Sequence, residues 1–428
     1  MIGSAEFEPR IRYIRFPHFR NLRDHLQIEF TYPVTALVGP NGTNKTAILR
    51  ALQGCPDYEN VGQYWFSTNL DPIGPDERHR FIHAYMATTV GEVVEVIKTR
   101  IARASRTTRP RRTTRKTRVD PDYFEPSRPL VQDGMTRPNP LPSGVTRTAD
   151  RSETRWTAIR KNVVYLDFRS QLSAFDKYFY HDPLNSRAKS LTSKKLFIRR
   201  RSAHLAAALR GRTEHNYYNR ERILQASEKL NASQVAAMSA ILGRDYESVH
   251  VIKHGYFDIE GYSVMLHASN LQYSEAFAGS GEFAVAMLVR EITNAPKRSL
   301  ILLDEPEVSL HPGAQRQLMS FILEQARTGR HQFVISTHSP EIVRSLPSDA
   351  IKVFQANPDD GKIDLLAQSS DPTEAFFRLG APSEITRPIY VEDALAEAIV
   401  TRAIRPLGAS VYHQLTITKV PGGASAIL

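Results

Sequence analysis

Apolar residues arrive along this chain in short continuous blocks, each closed by a turn or a polar tip. Beside a strand predicted over 161–168, Val34-Thr35-Ala36-Leu37-Val38, Leu300 to Leu303 and Phe333 to Ile335 are such blocks. They are too continuous for strands with one wet face, which alternate, and predict strands buried on both faces, as in a parallel sheet. Residues 11–38 predict two strands and a turn, and 81–97 a further strand or strand pair. Residues 185–243 read as mainly helical, with Arg199, Arg200, Arg201, Arg210 and Arg212 repeated through them. Strand-like residues 248–267 follow. From 282 to 345 the order is helix, strand, helix, strand, helix, the pattern of a parallel sheet with crossovers. After Pro388, Ile389-Tyr390-Val391 and the residues beyond predict a strand and a helix that start another α/β unit.

The intervening stretch 98–160 is rich in Arg, Thr, Pro and Ser. Pro110, Pro121, Pro126, Pro129, Pro138, Pro140 and Pro142 argue against regular structure there, so it reads as a long mobile insertion. The expected organisation is therefore an N-terminal lobe (1–97), a basic insertion (98–160) and a second part of that lobe (161–270) with a helical subdomain near 185–243. Residues 271–370 complete the sheet, and 385–428 form a small C-terminal segment.

Charge sharpens the picture of the insertion. The net charge of +11 is concentrated in residues 98–118, which hold ten Lys and Arg and no acid; the rest of the chain is close to neutral. Such a block suits a polyanion, nucleic acid first, or is a solvated basic loop. At 428 residues with 41% hydrophobic content, the chain has room for two or three domains. No apolar run approaches the length of a membrane span, and Met1 to Glu6 do not open a signal peptide. The single cysteine, Cys55, excludes a disulfide framework and a Cys-based zinc site, and a reducing cytoplasm is the expected compartment.

Candidate chemistry starts where the first buried block ends. Gly39-Pro40-Asn41-Gly42-Thr43-Asn44-Lys45-Thr46 lies between a strand and the helix-like run from Ala47 to Leu52. A glycine-rich turn at a helix N-terminus wraps phosphates with backbone N–H groups, here from Gly39, Asn41, Gly42, Asn44 and Ala47. Lys45 is expected to reach the outer phosphates of a nucleoside triphosphate and Thr46 to hold Mg²⁺. Asn44 stands where the pattern has a second glycine; Asn tolerates left-handed backbone best after Gly. Leu300 to Leu303 run into Asp304-Glu305-Pro306, which places two carboxylates at the C-terminal end of a buried strand, where α/β sheets bind ligands. Asp304 is expected at the metal and Glu305 at the attacking water. Phe333 to Thr337 end at His338, which is positioned to contact the outermost phosphate. Ala278-Gly279-Ser280-Gly281-Glu282 before a helix is a second anion-docking turn or a simple cap.

These four motifs in this order resemble the ABC-type P-loop ATPase head. Gly39 to Thr46 resemble its Walker A segment, Gly279 to Glu282 its signature, Leu300 to Glu305 its Walker B segment, Ser309-Leu310-His311-Pro312 its D-loop and His338 its switch histidine. The opening Ile11 to Phe16 with Phe19-Arg20-Asn21-Leu22 is similar to the first strands of the RecF, SMC and OLD (overcoming lysogenisation defect) group. The resemblance implies ATP and Mg²⁺ as cofactors, Lys45, Glu305 and His338 as catalytic residues, and ATP sandwiched between two copies. Ser280, Gly281 and Glu282 of one copy would then complete the site of the other. It also implies a Q-loop residue, for which Gln171 is the candidate. Asp304-Glu305-Pro306-Glu307 and Ser336-Thr337-His338-Ser339-Pro340 look most like the OLD and related phage-defence ATPases. Residues 389–397 are similar to the opening of a Toprim nuclease domain, with Glu392 at its metal-binding Glu; Asp393 and Ala396 depart from that pattern, and no Asp-x-Asp pair follows.

The expected protein is thus an α/β ATPase head with an inserted helical subdomain and an incomplete Toprim-like or accessory segment. It is expected to hydrolyse ATP as a homodimer or higher homo-oligomer in anti-phage defence, beside a nuclease or toxin effector, and not to cut nucleic acid itself. The alternatives are a RecF/SMC-like repair or chromosome-maintenance ATPase, and an ATP-bound scaffold that does not turn over.

Overall fold

The computed structural model describes residues 5–74, 76–104, 119–184, 190–378, 387–407 and 415–420. A six-stranded sheet runs through its centre in the order Ile363–Ala367, Ile351–Ala356, Val34–Val38, Gln332–Thr337, Leu300–Asp304 and Val163–Asp167. All neighbours pair in parallel except Ile363–Ala367, which closes one edge antiparallel.

Period-two geometry explains the continuous apolar blocks. Val34, Ala36, Ile301, Leu303, Phe333 and Ile335 enter a core on one face, with the helices Ser280–Asn294 and Pro312–Gly329. Leu37, Leu300, Leu302 and Val334 enter the core on the other, with the helix Lys45–Gln53. Every one of these side chains is fully buried, and each contributes about 1.5–3 kcal/mol for a residue of Val to Phe size. A five-stranded antiparallel sheet, Leu26–Glu29, Ile11–His18, Arg80–Ala87, Glu92–Ala104 and Val119–Pro126, shares the second core. A four-stranded sheet, Leu271–Ser274, Gly261–Ala268, Ser248–His254 and Ile223–Lys229, shares the first with the helix Ala232–Leu242. The buried Gln332 amide stitches the layers together: its Oε1 accepts from Ile11 N (3.0 Å) and its Nε2 donates to Ile11 O (2.8 Å).

Several expectations change. Residues 11–38 hold three strands rather than two. The 185–243 stretch is not a helical unit: the helices Leu191–Leu209 and Ala232–Leu242 are separated by the strand Ile223–Lys229. Regular structure also extends into 98–160, where Glu92–Ala104 and Val119–Pro126 pair antiparallel despite the prolines. Three members of the basic block, Lys98, Arg100 and Arg103, lie on the first strand of that hairpin. Lys98 is buried with Nζ donating to Pro56 O (2.6 Å), and Arg100 is buried against Asp122 (2.8 Å) and the carbonyl of Gly74 (2.8 Å). A charge count cannot see that a long stem is buried and its head bonded. Residues 105–118 and 185–189 lie outside the described residues. Arg387–Val391 and Leu415–Lys419 pair in parallel, with the helix Ala394–Ile404 between them in the chain. Among the described residues no helix is long and apolar enough to cross a membrane.

Arg100→Ala removes the counter-charge of a buried carboxylate. It is expected to lower stability by about 3–5 kcal/mol in urea unfolding; a loss under 1 kcal/mol would mean Asp122 finds another partner.

Candidate nucleotide-binding site

The Val34–Val38 strand delivers the chain into a tight loop and then the helix Lys45–Gln53. Gly39 has no room for a side chain: a Cβ there would lie 2.7 Å from Phe354 O and from Thr43 Oγ1. Thr43 Oγ1 donates to Pro40 O (2.8 Å), which closes the turn. Asn44 sits at φ 59°, ψ 19°, the left-handed backbone expected of the residue that replaces glycine, and its Nδ2 donates to Asn21 Oδ1. Pro40, Asn41 and Gly42 form the exposed tip, while Lys45 and Ala47 are buried beneath it. The Lys45 ammonium curls back over the loop, donating to Gly39 O (2.8 Å) and Pro40 O (3.0 Å). Burial pulls its pKa down to about 8 against the opposing pull of Glu305, Asp304 and Glu307.

Asp304 is fully buried at the end of the Leu300–Asp304 strand. Its Oδ1 accepts from Ser336 Oγ (2.7 Å); its Oδ2 accepts from Thr46 Oγ1 (2.8 Å), Tyr165 OH (3.0 Å) and Arg169 Nη2 (2.8 Å). The predicted metal pair, Thr46 and Asp304, is thus in direct contact. Glu305 follows at φ 53°, its N–H bonded to Ser336 O (2.9 Å). The Glu305 Oε1 lies 3.6 Å from His338 Nε2. His338 is held by its own backbone N–H, which donates to Glu307 Oε1 (2.6 Å). Burial, then the Lys45 charge, holds the imidazole pKa below its ordinary value against the opposing pull of Glu305 and Asp304.

This donor set fits a triphosphate with Mg²⁺. His338 Nε2 is buried with no hydrogen-bond partner among the described residues, which leaves it available to a phosphate oxygen at this edge. Thr46 and Asp304 offer two hard oxygens, and among the described residues no cluster of three or more His, Cys, Asp or Glu could hold a metal. Mg²⁺ suits such a partial site, because it takes its remaining ligands from phosphate and water.

The signature turn lies elsewhere. Gly279 precedes the helix Ser280–Asn294, and Glu282 Oε2 accepts from Gly279 N (3.0 Å). Glu282 Oε1 accepts from the hydroxyls of Tyr273 (2.6 Å) and Tyr246. Both oxygens are therefore used inside the chain, where Glu282 caps its own helix. Ser280 is exposed, and a Cβ on Gly281 would lie 2.7 Å from Ser309 O, so the signature and D-loop segments touch. Gln171 makes no hydrogen bond to the phosphate loop or to Asp304 among the described residues. The loop after Val163–Asp167 reaches the site through Arg169 instead, two residues earlier. Tyr165, Arg169, Ser336 and Glu307 were the residues missed. The buried-strand register that aligns Asp167 with Asp304 and Ser336 with Asp304 brings three of them in.

Strand, phosphate loop, helix and an acidic strand tip one strand removed, across Gln332–Thr337, define a P-loop ATPase domain. Residues 34–344 match the family model described as AAA domain, putative AbiEii toxin, Type IV TA system, and the chain belongs to that family. The OLD nuclease of Thermus scotoductus is 27% identical over 341 residues, 77% of this chain and 59% of the relative. The chain therefore spans less than two thirds of that relative's length. Among solved structures it is similar to an Smc head bound to the C-winged helix domain of ScpA (TM-score 0.43, 14% identity, 84% of this chain and 98% of that one). It is also similar to an Smc head domain with an extended coiled coil bound to the C-terminal domain of ScpA derived from Pyrococcus furiosus (TM-score 0.42, 13% identity, 84% and 96%).

The Lys45 pKa carries a pH signature. Phosphate binding by Lys45 would need its ammonium form, so affinity would be full below about 8. Above that pH it is expected to fall, approaching tenfold per pH unit, until the pKa of the bound form is reached. Fluorescent-ATP titrations from pH 7 to 10 measure this; a flat profile would show that Lys45 stays charged throughout.

Proposed function

We propose that this chain is the ATP-hydrolysing component of a prokaryotic anti-phage defence system that works with a nuclease or toxin effector. The observation that carries the reading is the Thr46–Asp304 contact with Glu305 and His338 beside it. Backbone N–H groups of the Gly39–Asn44 loop bind the phosphates, and Lys45 leaves its loop carbonyls for the outer phosphate oxygens. Thr46 and Asp304 hold Mg²⁺, which when bound neutralises charge on the phosphate oxygens. Glu305 orients the attacking water, and neutral His338 donates Nε2–H towards the terminal phosphate. Catalysis of this kind is mainly positioning and electrostatics.

The exposed Ser280 and the 87% exposed Phe277 beside it support a surface that a second copy covers. In that arrangement Ser280 and Gly281 complete the partner copy's ATP site. The toxin and nuclease relatives support an effector partner. The run Arg106 to Arg118 supports a polyanion as a further one. The βαβ unit of Arg387–Val391, Ala394–Ile404 and Leu415–Lys419 has exposed Glu392 at the end of its first strand, and supports an incomplete Toprim-like or accessory domain.

Wild-type protein is expected to release phosphate from Mg-ATP in a malachite-green assay. Lys45→Ala and Glu305→Gln are each expected to slow it by roughly 100-fold or more. Equal release from all three would sink the reading. With Mg-ATP, light scattering should find a dimer for Glu305→Gln and a monomer for Lys45→Ala; the same mass for both would remove the shared site.

A further inference from the structure

Arg169 has the geometry of a group that stands in for an ion. Its Nη2 lies 2.8 Å from Asp304 Oδ2 and 3.3 Å from Thr46 Oγ1, the two atoms a metal would need. The other donors to Asp304, from Thr46, Ser336 and Tyr165, are neutral hydroxyls. Among the described residues, the guanidinium is the cation in salt-bridge contact with this fully buried carboxylate. A buried charge keeps one counter-charge close. Mg²⁺ binds oxygen at about 2.0–2.1 Å, and a dication that close would repel a guanidinium held on the same two oxygens.

Arg169 also has somewhere to go. Its side chain is 43% exposed, on a short loop after the Val163–Asp167 strand. Its Nε is anchored to Asp167 Oδ1 (3.1 Å), and its Nη1 is already 3.8 Å from Glu305 Oε1. A rotation about the Asp167 anchor exchanges Asp304 for Glu305 without leaving the guanidinium unpaired.

We propose that Arg169 is a positioning residue of the metal site, a tethered cation that competes with Mg²⁺ for Asp304 and Thr46 and turns towards Glu305 when displaced. This rests on the nucleotide reading above. Metal loading then places a positive group beside the carboxylate that orients water, which links the two steps. The Arg is needed for its fork: it holds Asp167 through Nε and Asp304 through Nη2 at once, which a lysine cannot do.

The test is MgCl₂ titration of wild type, Arg169→Ala and Arg169→Lys in the presence of a fluorescent, non-hydrolysable ATP analogue. No turnover is involved. For Arg169→Ala the half-saturating Mg²⁺ concentration is expected to fall roughly three- to tenfold, the scale of a partly exposed ion pair. Arg169→Lys should fall between it and wild type, and decides the matter if the alanine variant does not fold. Affinity in EDTA should be unchanged in both. An unchanged or higher Mg²⁺ requirement overturns the proposal, as does weaker binding in EDTA, which would make Arg169 a phosphate ligand. No analogue binding by wild type, with or without Mg²⁺, removes the nucleotide reading and this proposal with it.

Discussion

One buried carboxylate holds the site together. Asp304 is fully buried, and its two oxygens receive donors from the phosphate-loop helix, the Gln332–Thr337 strand, the Val163–Asp167 strand and the loop beyond it. Those segments are far apart in sequence, so the contacts exist only once the central sheet is in register. An unbonded carboxylate in that position would be costly. The same four hydroxyl and guanidinium donors that make burial tolerable fix where Thr46, Ser336 and Arg169 stand. The arrangement of the site and the stability of the strand tips are therefore one constraint.

The sheet supplies the rest by being dry on both faces. Leu300 and Leu302 point into one core, Ile301 and Leu303 into the other. Apart from the buried Thr35, the polar side chains of the Val34–Val38, Leu300–Asp304 and Gln332–Thr337 strands collect at their ends. In a parallel sheet the C-terminal ends of Val34–Val38, Leu300–Asp304 and Gln332–Thr337 fall along one edge. The phosphate loop, Asp304-Glu305 and His338 meet there for that reason. The left-handed backbone of Asn44 and Glu305 appears at the same edge, where strands must turn sharply.

This logic decides what the sequence could disclose. The dry strands and their tips were legible, because a continuous apolar run with a polar end has few other readings. Asn44 was legible in its backbone and not in its bond to Asn21, which depends on the neighbouring sheet's approach. Arg169 was hidden because its role follows from Val163–Asp167 lying next to Leu300–Asp304, and nothing local announces that pairing. Gln171 is nearer the family pattern by residue type, yet the strand's end aims the loop's Arg inward. Lys98 and Arg100 were misread for the opposite reason: a dense run of charge looks solvated, and burial is visible only with Pro56 and Asp122 in place.

Two cations now stand on atoms of the site itself. Lys45 donates to the carbonyls of Gly39 and Pro40, and Arg169 donates to Asp304. Each bond must be given up before the same group, or the same oxygen, serves a nucleotide and its metal. On the proposed reading Lys45 would make that exchange within the loop, where a phosphate oxygen would replace a carbonyl. Arg169 would make it between carboxylates, from Asp304 to Glu305. The two exchanges pull in one direction, since bringing negative phosphate to Lys45 also favours a divalent cation at Asp304 over a monovalent guanidinium. Nucleotide and metal should therefore bind as a coupled pair, each improving the other's affinity by the same factor. His338, beside Glu305 and held through its backbone N–H by Glu307, stands at the same edge, where either arrival would change the charge it faces.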